Sequence, residues 1–350
     1  MIIHVGVDLH KSFCLVVSMD EKGNILEKKK VSNSPEELTG YFKRYPKETK
    51  VVVEATGNWM FFYETIEHYL PNITLAHPLK IKAIAEAKIK TDTIDASTLA
   101  HLSRAGLIAS AYIPNRQTRD LRELLRYRAS LVAQRTSLKC KIHAVLIKNG
   151  CHIEVSDVFG KKGMEWLRTI PLRQNYRLEI DGFLGVIKSI ENELAVVEKK
   201  LNEEIKISED GQRLMTIPGI GIYSAMLILS EIGEINRFSN YKKLCSYAGL
   251  VPSTFQSADK ERHGGLTKQG SKWLRWILIE NSHHIINKDE RFNKLFERVR
   301  IKYGSNTGRV AVARKLLEII WYMLTRKENF KLFPIRTGKG LVSTMGSWNN

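Results

Sequence analysis

Four carboxylates stand at places where a folded chain has little structural use for them. Asp8 closes the apolar run MIIHVGVDL, Glu54 closes the run in KVVVEAT, and Asp92 and Asp95 open an apolar-periodic stretch in KTDTIDASTLAHL. A carboxylate at the end of a strand buried on both faces is costly unless something cationic shares its site. If the two strands neighbour each other in one sheet, Asp8 and Glu54 lie about 5 Å apart. Asp92 and Asp95, at i and i+3 of a helix start, share one helix face and can meet them. Carboxylates crowded in this way raise one another's pKa unless divalent cations hold them ionised. Magnesium takes oxygen ligands, and a pair of ions about 4 Å apart clamps a phosphodiester, activating one oxygen and stabilising another. Each acid also has a plainer use, as a helix cap or a turn residue. The order strand, strand, helix favours one metal site over four unrelated residues.

The elements that must position these acids follow from hydrophobic period. Residues 1–112 read as an α/β domain: IIHVGVDL, FCLVVSMD and ILEKKKVSN are strands in meander order, SPEELTGYFKRY opens with a Ser-Pro-Glu helix start, and KVVVEAT, NWMFFYETIEHYL and ITLAHP give strand, helix, strand. The expectation is a mixed sheet covered by helices. Over 113–207 the period becomes helical, with Leu121, Leu125, Leu131 and Leu138, then Leu184, Ile187, Leu194, Val197 and Leu201, on two long amphipathic helices. They pair as an antiparallel hairpin within the chain or as an intermolecular coiled coil. A third, mostly helical region covers 208–332, and 333–350 has the composition of a loose tail.

Composition narrows the partners. Lys and Arg number 55 against 37 Asp and Glu, a formal charge of +18. Such an excess attracts polyanions, nucleic acid above all. Arg119, Arg122, Arg126, Arg135 and Lys139 lie in a stretch with few acids. The competing explanation of that stretch is a solvated helix face. In IPGIG, Gly219 and Gly221 fit a helix-hairpin-helix turn whose backbone N–H groups approach a phosphate; the same residues also serve an ordinary helix connection. VPSTFQSADKERHGGLTKQGSKWLR reads as a loop in which Lys260, Arg262, Lys268, Lys272 and Arg275 grip phosphates. No apolar run approaches the roughly 20 residues of a membrane span. The four cysteines lack metal-ligand spacing, and no secretory signal is evident, so a cytoplasmic protein, nucleoid-associated when bound to DNA, is expected.

GVDLHK, VVVEATGNW and KTDTIDASTLA resemble the N-terminal signatures of the DEDD transposases of bacterial insertion sequences, relatives of the Piv-type invertases. MTIPGIGIYSAMLILSEIG and the segment from FSNYKKLCSYAGLVPS to GSKWLR resemble that family's C-terminal transposase domain. The resemblance implies an RNase H-like fold of the Holliday-junction-resolvase type at residues 1–112, with Asp8, Glu54, Asp92 and Asp95 holding Mg2+, two ions per site. It implies a C-terminal-domain serine that bonds covalently to DNA, as in serine recombinases. Ser257 in QSADK matches that serine; relatives carry Ser-Gly where this chain has Ser257-Ala258, which keeps Ser253 as the other candidate. It further implies a structured noncoding guide (bridge) RNA that pairs with donor and target DNA. The implied assembly is a homo-oligomer, dimer or tetramer, in which the resolvase-like domain of one protomer meets the serine domain of another.

Three other functions compete with a recombinase. A metal-dependent endonuclease or junction resolvase needs only the acids and water. An actin-like or sugar-kinase-like ATPase also begins with an apolar strand into Gly-x-Asp, but the Gly/Thr-rich phosphate loop it requires is missing from HKSFCL. A non-catalytic nucleic-acid-binding protein would tolerate loss of any acid.

Overall fold

The β-branched runs at the start of the chain pair into one sheet. In the computed structural model, which describes residues 2–84, 91–257 and 260–332, β1 (His4–Leu9), β2 (Phe13–Met19) and β3 (Ile25–Ser32) form an antiparallel meander. The next strands, β4 (Lys50–Glu54) and β5 (Ile73–Ala76), add in parallel on the other side of β1, giving the order β3-β2-β1-β4-β5. Parallel neighbours need crossovers, and α1 (Pro35–Phe42) and α2 (Trp59–Ile66) supply them. The Ser34 hydroxyl caps α1 by accepting from the Glu37 N–H at 3.2 Å, with Pro35 at the first helical position.

Strand alternation sends Val5, Val7 and Leu9 into a core with Phe42, Phe62 and Ile66, so α1 and α2 cover one face of the sheet. The other face carries His4, Gly6 and Asp8. After α3 (Pro78–Ile84), α4 (Asp92–Arg104) lies across β1, β2 and β4 on that face. Gly6 makes the contact possible: a Cβ there would stand 2.0 Å from the Ala96 carbonyl oxygen and 2.6 Å from the Ala100 nitrogen. Helix backbone therefore rests on strand backbone, with alanines where larger residues would hold the two apart.

The chain divides into two units, Met1–Pro114 and Asn115–Asn350. The second begins with α5 (Arg116–Lys148), followed by α6 (Lys161–Thr169) and α7 (Gln174–Lys206). Arg128 meets Glu198 at 2.9 Å and Arg135 meets Glu191 at 3.9 Å, so α5 and α7 run antiparallel within one chain. Next come α8 (Glu209–Met215), α9 (Ile222–Ile232), α10 (Tyr241–Tyr247), β6 (Pro252–Ser257), β7 (Lys260–Leu266), α11 (Lys272–Ile286), α12 (Glu290–Tyr303) and α13 (Ser305–Arg326). Leu125 and Leu131 of α5 and Leu194, Val197 and Leu201 of α7 share one core with Leu227, Leu278 and Leu316. The long helices and the C-terminal helices thus pack as one body. The stretch expected as a loop, from Pro252 to Leu266, is a hairpin in which Ser257 pairs with Lys260. Its Gly-, Lys- and Arg-rich composition shows no apolar alternation, so its extended backbone pairing had no cue in the hydrophobic pattern. The expected tail, 333–350, lies outside the described residues.

Candidate functional site

Asp8 and Asp92 meet on His10 where β1 ends and α4 begins, and Glu54 ends β4, the parallel neighbour of β1. Asp8 follows Gly6 by two residues, on the face that α4 covers, and Ala96 above Gly6 places Asp92 one turn back, over Asp8. Parallel pairing of Val7 with Val53 makes Asp8 and Glu54 successors on adjacent strands. Val52 packs with Leu99 of α4, so alternation puts Glu54 on the same side as Asp8. Asp92 and Asp95 are spared from capping, because Thr91 does it: its hydroxyl accepts from the Ile94 N–H at 3.2 Å. Burial pushes the Asp8 carboxyl above the usual carboxylate range; His10 draws it back, and the charges of Asp92 and Asp95 push it up further.

His10 is the member that sequence reasoning missed. Its Nε2 lies 3.0 Å from Asp8 Oδ2 and 3.2 Å from Asp92 Oδ2, so an N–H there can be shared by both carboxylates. One ligand atom from each of Asp8, His10 and Asp92 lies within 4.8 Å of the others, a spacing that a divalent cation can span. The His10 ring stacks on Phe13 with centroids 4.6 Å apart, and Lys30 Nζ sits 3.8 Å from the centre of the Phe13 ring. The His10 carbonyl accepts from Asn33 and from Asn58, each at 2.6 Å. Asn58 precedes α2, so the turn after β4 and the turn after β1 are tied together beside the acids. The cue in the sequence was the Asp-x-His spacing at a strand end, which alone is indistinguishable from a turn histidine.

The basic candidates separate into several kinds. Arg119 is buried in α5. Arg122 holds the end of α9, donating from Nε to the Ser230 carbonyl at 2.7 Å and from Nη2 to the Glu231 carbonyl at 3.1 Å. Arg126 donates to the buried Glu231 carboxylate at 3.0 Å, Arg135 faces Glu191, and Lys139 Nζ lies 4.6 Å from the centre of the Phe159 ring. Arg275 donates to the Ala248 carbonyl at 3.0 Å. Lys268 and Lys272 are exposed, Lys268 with a left-handed backbone. Gly219 has φ +91°, and a Cβ on it would strike the His284 Cβ at 2.2 Å, so close packing on α11 requires glycine there. Gly221 precedes the first turn of α9, and a Cβ there would meet nothing within 4 Å. Ser253 Oγ donates across the hairpin to the Gly265 carbonyl at 3.0 Å. Ser257 ends β6 beside Ala258 and Asp259; its side chain, with those of Lys260 and Arg262, lies outside the described part.

A family model for DEDD transposases, described as Transposase, matches residues 5–148, which contain all four acids. A second, described as Transposase IS116/IS110/IS902 family, matches residues 211–297. The chain is 26% identical over 337 residues to the transposase for insertion sequence element IS1111A of Coxiella burnetii, covering 93% of this chain and 91% of that one. It is 25% identical over 344 residues to the transposase for insertion sequence element IS1328 of Yersinia enterocolitica, covering 92% and 96%. The insertion element IS110 43.6 kDa protein of Streptomyces coelicolor is 22% identical over 308 residues, covering 73% of this chain and 75% of that one. With an acid cluster at the end of a mixed sheet and both family models matched in order, the chain belongs to the DEDD transposases of bacterial insertion sequences, enzymes that act on DNA.

Proposed function

We propose that the chain cuts and rejoins DNA strands with a Mg2+ site on Asp8, Glu54, Asp92 and Asp95 and with Ser257 as nucleophile. The observation that carries this is the convergence of Asp8 and Asp92 on one imidazole nitrogen, with Glu54 on the adjacent strand. The donor set suits a hard divalent cation: carboxylate oxygens, one of them on a residue whose charge burial disfavours until a cation arrives. When bound, magnesium supplies positive charge on the scissile phosphate and an activated oxygen. The sheet order β3-β2-β1-β4-β5, with α4 across the acid-bearing face, supports an RNase H-like assignment for this unit.

The chain's own residues set the geometry. Gly6 and Ala96 fix how near α4 comes to β1, and hence how near Asp92 comes to Asp8. Asn58 locks the β4 turn to the β1 turn, so Glu54 and Asp8 are held as one group. Ser253 has its hydroxyl committed to Gly265, which favours Ser257 as the attacking residue. In the first step a bond forms from the Ser257 oxygen to phosphorus, and the bond from phosphorus to the departing strand breaks. The serine proton goes to a base and the departing oxygen takes one up. The reverse step hands the phosphate to a new strand without an external energy source. Donor and target choice rests on a structured noncoding guide RNA and the acting species is a homo-oligomer; both follow from the family resemblance.

A denaturing gel of protein with labelled DNA tests the chemistry. Ser257→Ala is expected to remove both a covalent adduct and strand exchange, with Ser253→Ala mild. Efficient exchange by the double variant would leave water or a DNA hydroxyl as nucleophile and overturn the serine assignment.

A further inference from the structure

We infer that the face of the second unit made by α5, α9 and α11 binds unpaired nucleotides, with bases stacked on Trp273 and Trp276. The inference rests on the nucleic-acid reading above and adds a site to it. An open cleft of about 520 Å³ is lined by Arg122, Arg126, Glu231, Tyr247, Ser271, Lys272 and Trp273. Its floor is rigid. The Glu231 carboxylate, 4% exposed, accepts from Arg126 at 3.0 Å and from the Ser271 hydroxyl at 2.9 Å, and the Arg122 guanidinium is held on the Ser230 and Glu231 carbonyls. Arg122 is taken up by main-chain carbonyls and Arg126 by Glu231, so Lys272, exposed at the edge of the cleft, is the cation left to meet a phosphate.

Aromatic rings alternate with these cations along the rim. The guanidinium of Arg126 lies 6.0 Å, and Lys272 Nζ 5.8 Å, from the centre of the Trp273 ring. Trp276 is one helical turn further on, its ring 6.0 Å from that of Trp273 and 6.5 Å from that of Tyr223, whose own face carries Arg128 at 4.2 Å. Trp276 is 41% exposed, a large aromatic surface left in water next to Trp273. Interleaved cations and rings suit a single strand, whose phosphates meet the charges while its bases lie on the indoles. A duplex presents the same phosphates, but its bases are stacked on one another and offer no face to Trp276.

The test uses the full chain and short single strands of about a dozen nucleotides, one DNA and one RNA, carrying 5-iodouracil for photo-crosslinking. Crosslinks are expected on Trp273 or Trp276. By fluorescence anisotropy, Trp276→Ala is expected to weaken single-strand binding about five- to a hundredfold and leave duplex binding unchanged. Lys272→Gln should lower the salt slope by about one. Trp276 is exposed enough that its removal leaves the fold intact, which an unchanged melting temperature verifies. The DNA and RNA arms decide which strand the face takes. Unchanged single-strand affinity in Trp276→Ala, or crosslinks mapping only outside residues 272–276, overturns the inference. Strand exchange that still depends on Asp8 would then leave the acid-site reading standing.

Discussion

At the acid end of the first unit, Asp8, Asp92 and Asp95 crowd one region with His10 between them, whereas along α5 in the second unit Arg122, Arg126, Arg128 and Arg135 each meet an answering carbonyl or carboxylate. The first arrangement keeps repulsion that folding alone would not favour, and a divalent cation bound there, as proposed above, would relieve it. The second needs no ligand, because Glu191, Glu198 and Glu231 are already in place. Much of the positive charge along α5 is thus answered within the chain. What remains available on the second unit is smaller and more specific: Lys272 and the rings beside it.

This contrast can be broken at either end. The largest effect is expected from Asp8→Asn or Asp92→Asn. Loss of metal-borne charge stabilisation, several kcal/mol, should slow strand exchange at least about a thousandfold. DNA affinity should hold, so exchange that survives in magnesium would make the acids structural. Gly6→Val comes next. Its Cβ would drive into the Ala96 carbonyl, and overpacking of about 1–3 kcal/mol should lower the melting temperature and misplace Asp92 relative to Asp8. A variant with unchanged melting temperature and exchange would show that α4 has room to shift. Arg122→Met should cost about 2 kcal/mol of stability, as two charged hydrogen bonds at the end of α9 are lost, while the salt dependence of DNA binding stays as it was. A shallower salt slope would instead place Arg122 on phosphate. The smallest effect is expected from His10→Ala, about 1 kcal/mol of melting stability in chelator and none in magnesium. An equal loss in both conditions would make His10 only a support for its turn.

The places of the acids in the fold were legible because each breaks a strong local pattern, Asp8 and Glu54 at the ends of apolar strand runs and Asp92 and Asp95 at a helix start. The sheet was legible from short apolar, β-branched runs parted by turn residues, which leave few ways to pair. His10 was not, because its partner Asp92 is far along the chain and reaches it only when Gly6 lets α4 settle on β1. The fate of the arginines was equally hidden. Nothing near Arg122 or Arg126 in sequence announces the end of α9, so a cation that caps a helix and one that meets a phosphate look alike. The hairpin at Pro252–Leu266 escaped because its residues lack the alternation that a half-buried strand displays.

The most direct measurement of the acid site is Mn2+ binding by electron paramagnetic resonance on the full chain with DNA bound, since manganese takes the same oxygen ligands as magnesium. The wild-type chain is expected to hold Mn2+, and an Asp8→Asn, Asp92→Asn double variant to lose it while still binding DNA. Unchanged Mn2+ binding by the double variant, or none by the wild-type complex, would contradict a metal site at the end of β1 and the start of α4.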